Sequence, residues 1–357
     1  MQTLGELNLK IEERIKMFND VFAPKPGEKV LFLVDIPHND INDNKVWSER
    51  RKMANEWYEN FKEMGNNNDF TVSYKEYNAT GFHNSPVPKD IVDLGKNFDL
   101  VIAMTEFSGS SSFVPAYRHK DSKTRCASMP LTERRMEKTA FKADYNKVQK
   151  YAFAIEKLLN NSIAAEVKFS TGDNLFMDLR NRIALADAGD CKKAGQFINF
   201  PSGEACICPY EAMEDEKEEF GESKTEGNLP VAYDEEIIKF LIKKNKIVKL
   251  IGKSKKAEEM RQFFKQNPSR ANIAELGIGC NPEAVITGNL LEDEKVGLHI
   301  AYGKSDHLGG KIDSDMHLDI CYSEGCPVEG TSVVLIHNDG SKTEIIKDAK
   351  LRYELFK

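Results

Sequence analysis

"FDLVIAMTE", Phe98 to Glu106, runs through Leu100, Val101, Ile102, Ala103 and Met104 without a polar break. A strand with one wet face alternates apolar and polar residues. A run apolar at every position fits a strand covered on both faces, as the strands of a parallel sheet are. "VLFLVDIP", Val30 to Pro37, has the same character. Between the two lie "KVWSERRKMANEWYENFKEMG", Lys45 to Gly65, with apolar residues at helical spacing, and "FTVSYKEY", Phe70 to Tyr77, with strand composition. Strands separated by helices predict a doubly wound α/β unit with a parallel sheet. Upstream, Leu4 to Phe22 has helical periodicity up to the breaker "PKPGEK"; downstream, helical segments span Leu131 to Leu159. The pattern then turns to "AAEVKFS", "LFMDLR" and "GQFINFPSGEACICP", and ends in a hairpin signalled by Asp339 and Gly340. The expected division is a Rossmann-like domain over 1–160 and a mixed α+β domain over 161–357.

With 357 residues, 40% hydrophobic and 30% charged, the chain has enough apolar surface for two cores. Its net charge of -7, with lysines and arginines dispersed among acids, predicts no nucleic-acid partner. No apolar run reaches the ~18 residues of a span, and the N-terminus is charged throughout, so a cytoplasmic protein without a membrane partner is expected. Seven cysteines are an odd number, which favours reduced thiols over a disulfide framework. Cys206 and Cys321 stand near acids and are minor ligand suspects. The run "SGSSS", Ser108 to Ser112, is read as a capping turn in preference to an anion cup. The acidic segment Glu211 to Gly227 reads as a solvated loop or short surface helix, able to fence a cleft. His38, His83, His119 and His337 have no partner spacing, and Arg118 lies in a basic loop.

The chemistry lies in the second half. In "DMHLDICY", Asp315 to Tyr322, an extended backbone sends Met316, Leu318 and Ile320 one way and His317, Asp319 and Cys321 the other. His317 and Asp319, ~7 Å apart along the strand, can share a cation. His299 in "LHIAYG", Glu275 in "NIAELGIGCNP" and Glu204 in "NFPSGEACICP" are each a lone ionisable group among apolar residues, Gly or Pro. An unpartnered charge there costs several kcal/mol; taken singly, Glu204 and Glu275 are expected to pair with lysines or cap helices, but together the four groups call for a shared partner. Three carboxylates with one divalent ion leave about -1, and with two ions about +1, which favours two metals. Zn, Co, Mn or Fe are all admissible with such donors.

"GEACICP", "AELGIGCNP", "GNLLEDEK", "HIAYG", "GG" and "HLD", in that order, resemble the motifs of the aminopeptidase T group of M29 metallopeptidases. "PGEKVLFLVD", "RCASMP" and "ADYNKV" are similar to it more loosely. The resemblance implies a catalytic C-terminal domain with two divalent ions on Glu204, Glu275, His299, His317 and Asp319. It also implies release of N-terminal amino acids from small peptides by an activated water, with Glu204 or Glu275 as proton carrier, and a homodimer. The family places a tyrosine in the loop after the histidine of the "HIA" motif; here that loop reads "KSDHLGG", with Asp306 and His307. His307 is the candidate for a hydrogen bond to an oxyanion, and Tyr302 should point to the other face of its strand. Two further expectations stand beside the peptidase. One is a mononuclear Fe(II) ring-cleaving dioxygenase, acting on a small molecule through His299, His317 and Asp319. The other is a metal-binding homologue without peptidase activity.

Overall fold

The apolar run at Phe98 to Glu106 becomes the central strand of a five-stranded parallel sheet in the structure, a computed structural model that describes residues 9–234 and 236–356. In chain order the first strands are β1 (Lys29–Ile36), β2 (Thr71–Asn78), β3 (Leu100–Ala103), β4 (Arg125–Ser128), β5 (Ser162–Phe169), β6 (Asn174–Asp178), β7 (Leu185–Asp187), β8 (Phe197–Asn199) and β9 (Glu204–Ile207). There follow β10 (Glu226–Ala232), β11 (Ile237–Lys243), β12 (Lys246–Ile251), β13 (Ile273–Gly279), β14 (Leu298–Gly303), β15 (His317–Cys321), β16 (Gly330–His337), β17 (Lys342–Lys347) and β18 (Lys350–Leu351).

Two units divide the chain. The first comprises the described residues up to Gln149 with Asp187–Ser202 and Asn281–Val285; the second takes Lys150–Ala186, Gly203–Cys280 and the chain from Ile286 on. The first unit holds the parallel sheet in the order β2-β1-β3-β4-β8. Successive residues of β1 enter opposite cores: Val30, Phe32 and Val34 pack with Phe18 of α1 (Ile11–Val21) and with Trp57 and Phe61 of α2 (Lys45–Asn68). Leu31 and Leu33 pack with Ile91 of α3 (Lys89–Gly95) and with Phe113 and Tyr117 of α4 (Ser110–Tyr117). Both faces are thus covered, which is the doubly wound arrangement and the reason the inner strands β1 and β3 carry no polar side, whereas the edge strand β2 is largely exposed. Residues 4–8 of the expected first helix lie outside the described residues. The second helix runs three residues beyond Gly65, to Asn68, because its αL cap falls on Asp69.

The second unit contains two sheets. An eight-stranded sheet has the order β12-β11-β10-β6-β5-β16-β17-β18, with β16 and β17 joined by the hairpin at Asp339 and Gly340. A five-stranded sheet, β15-β14-β13-β9-β7, has antiparallel pairs from β15 through β9. The stretch "GQFINFPSGEACICP" splits: β8 joins the parallel sheet and β9 the five-stranded sheet of the second unit. The expected fold class, parallel α/β followed by mixed α+β, is the one observed.

Candidate metal centre

Register brings the five sequence-predicted donors onto one face of the sheet that holds β15, β14, β13 and β9. Cross-strand pairs are Gly279 with Glu204, Gly277 with His299, Ala301 with both Glu275 and Asp319, and Gly303 with His317. Each donor therefore faces a Gly or Ala, and the small residues make a floor over which the long side chains lean. At Gly277 the need is direct: a Cβ would stand 1.9 Å from His299 Nε2. Tyr302 occupies the opposite face, against Phe240 and Phe264.

Two sets of three donors result, each with its donor atoms within 4.8 Å of one another: Glu204, Glu275 and His299, and Glu275, His317 and Asp319. Glu275 belongs to both through different oxygens. Its Oε1 lies 3.4 Å from His299 Nε2 and its Oε2 lies 3.0 Å from His317 Nε2. Glu204 Oε2 is 3.3 Å from His299 Nε2, and Asp319 Oδ1 is 3.4 Å from His317 Nε2. His317 Nδ1 donates to the Lys304 carbonyl at 2.7 Å, which aims Nε2 at the carboxylates, where it carries a proton that an ion would displace, as the outer partner of a ligating histidine does. Glu204, Glu275 and His299 are buried; His317 and Asp319 are half-buried.

Electrostatics express the same demand for cations. Burial pushes the Glu275 carboxyl up, but hydrogen bonds and positive charge from His299 and His317 outweigh it and hold the group well below the usual carboxylate range. Burial opposes charge on His299, yet Glu275, Glu204 and Asp319 raise its pKa to about 10; His317 is raised well above the ordinary histidine value, against burial, by Asp319 and Glu275. Carboxylates this dense draw protons onto imidazole, and divalent ions would take the place of those protons. The donor set, two imidazole nitrogens and three carboxylates, fits such ions.

The expectation that Glu204, taken singly, pairs with a lysine is met, by a lysine that sequence reasoning did not identify. Lys295 is fully buried, and its Nζ lies 2.6 Å from both Glu204 Oε1 and Glu294 Oε1. Burial, opposed by Lys295 and reinforced by Glu204 and Asp319, pushes the Glu294 carboxyl up to about 8. The available signal was the second Gly of "GIG": a Cβ on Gly279 would stand 2.3 Å from the Lys295 carbonyl carbon and 2.4 Å from the Glu294 oxygen, so this glycine admits the segment that carries the lysine.

His307 lies on a 3-10 turn, Asp306–Leu308, its ring edge-on to His317 with centroids 4.8 Å apart. Its pKa is lowered by burial of part of the ring and by repulsion from His317. The acidic segment holds this loop. Glu211 accepts from Ser305 Oγ, Lys311 N (2.6 Å), Asn272 Nδ2 (3.1 Å) and Arg182 Nη2 (3.3 Å), and Lys311 Nζ reaches Asp215 at 2.7 Å. Cys206 and Cys321 share the donor face by register but join neither set, and burial pushes both thiols up. His38, His83, His119 and His337 hydrogen-bond outside both donor sets, to Ala79 O, Ser108 N, Ala116 O and Ser162 Oγ respectively. At "SGSSS" the Asn84 carbonyl oxygen of the side chain accepts from Ser111 N, a capping arrangement.

Fold and site together define a two-unit α/β protein with a cluster of carboxylate and imidazole donors on one sheet of the second unit. No protein-family model and no curated protein matches the chain. Solved structures do. The 2,5-dihydroxypyridine dioxygenase from Pseudomonas putida KT2440 is similar over 98% of each chain, with a TM-score of 0.64 and 16% identity. Wild-type AmpT from Thermus thermophilus is similar over 98% of this chain and all 100% of its own, with a TM-score of 0.58 and 12% identity. At these identities the likeness is one of fold. Among the described residues no helix is long and apolar enough to cross a membrane.

Proposed function

We propose that the chain is a dinuclear metal-dependent aminopeptidase that releases N-terminal amino acids from small peptides. One observation carries the reading: Glu275 presents one oxygen to the donor set with Glu204 and His299, and the other to the set with His317 and Asp319, as a bridging carboxylate does. The motif resemblance to the aminopeptidase T group and the fold likeness to AmpT support it. Glu204, Glu275 and His299 would hold one ion, and Glu275, His317 and Asp319 the other, with Zn, Co or Mn as candidates. Such ions supply Lewis acidity that polarises a carbonyl and lowers the pKa of a water toward neutrality. The Lys304 carbonyl fixes the His317 tautomer. Both oxygens of each glutamate have partners, those of Glu275 in the two imidazoles and those of Glu204 in His299 and Lys295, and one of these two carboxylates would carry a proton to the departing amine. His307, beside His317, takes the tyrosine's part and donates a hydrogen bond to the developing oxyanion. We extend the reading to a cytoplasmic homodimer without nucleic-acid or membrane partners.

A second reading is favoured by the higher TM-score of the dioxygenase: one Fe(II) on His299, His317 and Asp319, cleaving a small aromatic ring. Elemental analysis of the loaded full chain separates the two. Two ions per chain, with Asp319→Asn losing one and Glu275→Gln losing both, together with release of free amino acids from short peptides, is the expected result. One iron per chain and oxygen uptake with a dihydroxylated ring would overturn the peptidase.

A further inference from the structure

Glu204 does not face its imidazole with both oxygens. Oε2 lies 3.3 Å from His299 Nε2, whereas Oε1 is held at 2.6 Å by the fully buried ammonium of Lys295. The contact is built into the fold: Gly279 stands opposite Glu204, and its missing side chain lets the backbone of Glu294, Lys295 and Val296 pass against β13. Among the described residues no buried ammonium stands beside the other set. His317 has the neutral Lys304 carbonyl behind it, and both His317 and Asp319 are half-buried, within reach of water.

We propose that Lys295 is a positioning residue that makes the two ion positions unequal. With its ammonium on Glu204, the position bounded by Glu204, Glu275 and His299 is weak and exchangeable, while that bounded by Glu275, His317 and Asp319 is tight. The inference rests on the dinuclear reading above. A carboxylate already neutralised through one oxygen offers an incoming cation less than a full negative charge, and the ammonium repels that cation through a buried medium where charge is poorly screened. Glu294 moderates the effect because it shares the ammonium at 2.6 Å. Removing the lysine charge and removing its second carboxylate should therefore act in opposite directions. A purely structural lysine would weaken binding in both variants.

The test is a Zn2+ titration of the full chain by calorimetry, with elemental analysis after dialysis. Wild type is expected to bind two ions with affinities at least about tenfold apart. Lys295→Met, which leaves Glu204 and Glu294 in need of a cation, should tighten the weaker ion about tenfold and leave the tighter within ~3-fold. Glu294→Gln, which concentrates the ammonium on Glu204, should weaken the weaker ion ~5-fold or more. Equal affinities in wild type, or a weaker second ion in Lys295→Met, overturns the proposal and leaves the dinuclear reading standing. If Lys295→Met does not fold by circular dichroism, an unchanged or tightened second ion in Glu294→Gln overturns it instead. Failure of every form to bind zinc overturns both.

Discussion

Gly277→Ala tests the donor face at its tightest point. The new Cβ would meet His299 at 1.9 Å from Nε2, 2.3 Å from Cε1 and 2.4 Å from Cδ2. Carbon needs about 3.5 Å to a non-bonded neighbour, so the ring or the strand must retreat by roughly 1.5 Å. His299 is 1% exposed and has Cys321 as its other cross-strand neighbour, so room to retreat is scarce. Overpacking of this kind costs about 1–3 kcal/mol of stability. Ion binding suffers separately, because a ligand atom tolerates displacements of only ~0.2 Å from its proper distance. Loss of the His299 donor should weaken the ion it shares with Glu204 and Glu275 about 10–100-fold, which is roughly 1.4–2.8 kcal/mol. Zinc calorimetry reads the second effect and urea unfolding of the ion-free chain the first. Ile278→Val, the next residue and on the opposite face, is the control: about 0.5–1.5 kcal/mol of stability lost, ion affinity unchanged. Wild-type affinity for both ions in Gly277→Ala would refute the placement of His299 over this glycine.

Glu28 pairs with Arg125 at 2.7 and 3.1 Å; against a burial effect that raises it, this pairing lowers the Glu28 pKa. A depressed carboxyl stabilises the fold above its unfolded pKa of ~4.3 and loses that contribution as pH falls through the folded value. Glu28→Gln should thus differ from wild type in urea midpoint at pH 7 and converge with it below about pH 4; a constant gap would show that the ion pair is not the cause. Glu211→Ala removes the acceptor for four donors and should open the loop around Lys311, read as about tenfold faster trypsin cleavage there, and equal rates would mean that other contacts hold the loop. Asp35, buried at the end of β1, accepts from Trp47 Nε1 (3.0 Å), Glu106 N (2.8 Å) and Phe107 N (3.1 Å). Asp35→Ala strands those donors and should cost about 2–4 kcal/mol in urea unfolding, whereas a loss below ~1 kcal/mol would mean that water replaces the carboxylate.

What was legible in the sequence followed from period-two alternation. It fixes which residues of a strand share a face, and so His317 with Asp319, and the opposite orientation of Tyr302, could be read from one segment. Convergence of four separate strands was inferred from the cost of lone buried charges, because register between segments is written in no single one of them. Alternation also does not say which sheet a strand joins, which is why "GQFINFPSGEACICP" read as a unit although β8 and β9 lie in different sheets. Lys295 escaped because it precedes β14, outside any alternating run, so alternation gives no face for the lysine of "LLEDEK". The end of α2 escaped for a related reason: Gly65 resembles a stop, but its missing Cβ serves the close approach of Phe70, whose carbonyl oxygen would lie 2.5 Å from one.

The missed pair changes the charge distribution around the donors. Three ligand carboxylates with two divalent ions would leave about +1, and Lys295 adds positive charge that Glu294, its carboxyl pushed up to about 8 by burial, offsets only in part near pH 7. The positive group, however, falls on one ion position only, so equal sequence contributions yield unequal sites. The donors themselves stand on strands whose ladders fix them, which makes the donor cluster a property of the sheet. Residue 307, where the chain departs from the aminopeptidase T pattern, stands on a turn that side chains tether, principally Glu211 through Ser305 and Lys311. A scaffold that resembles both AmpT and a ring dioxygenase does not by itself select a reaction. Selection must then come from the groups set around the donors. In the proposed reading those are the ammonium behind Glu204, which would set how many ions stay bound, and the imidazole beside His317, which would decide what can donate to a substrate oxygen.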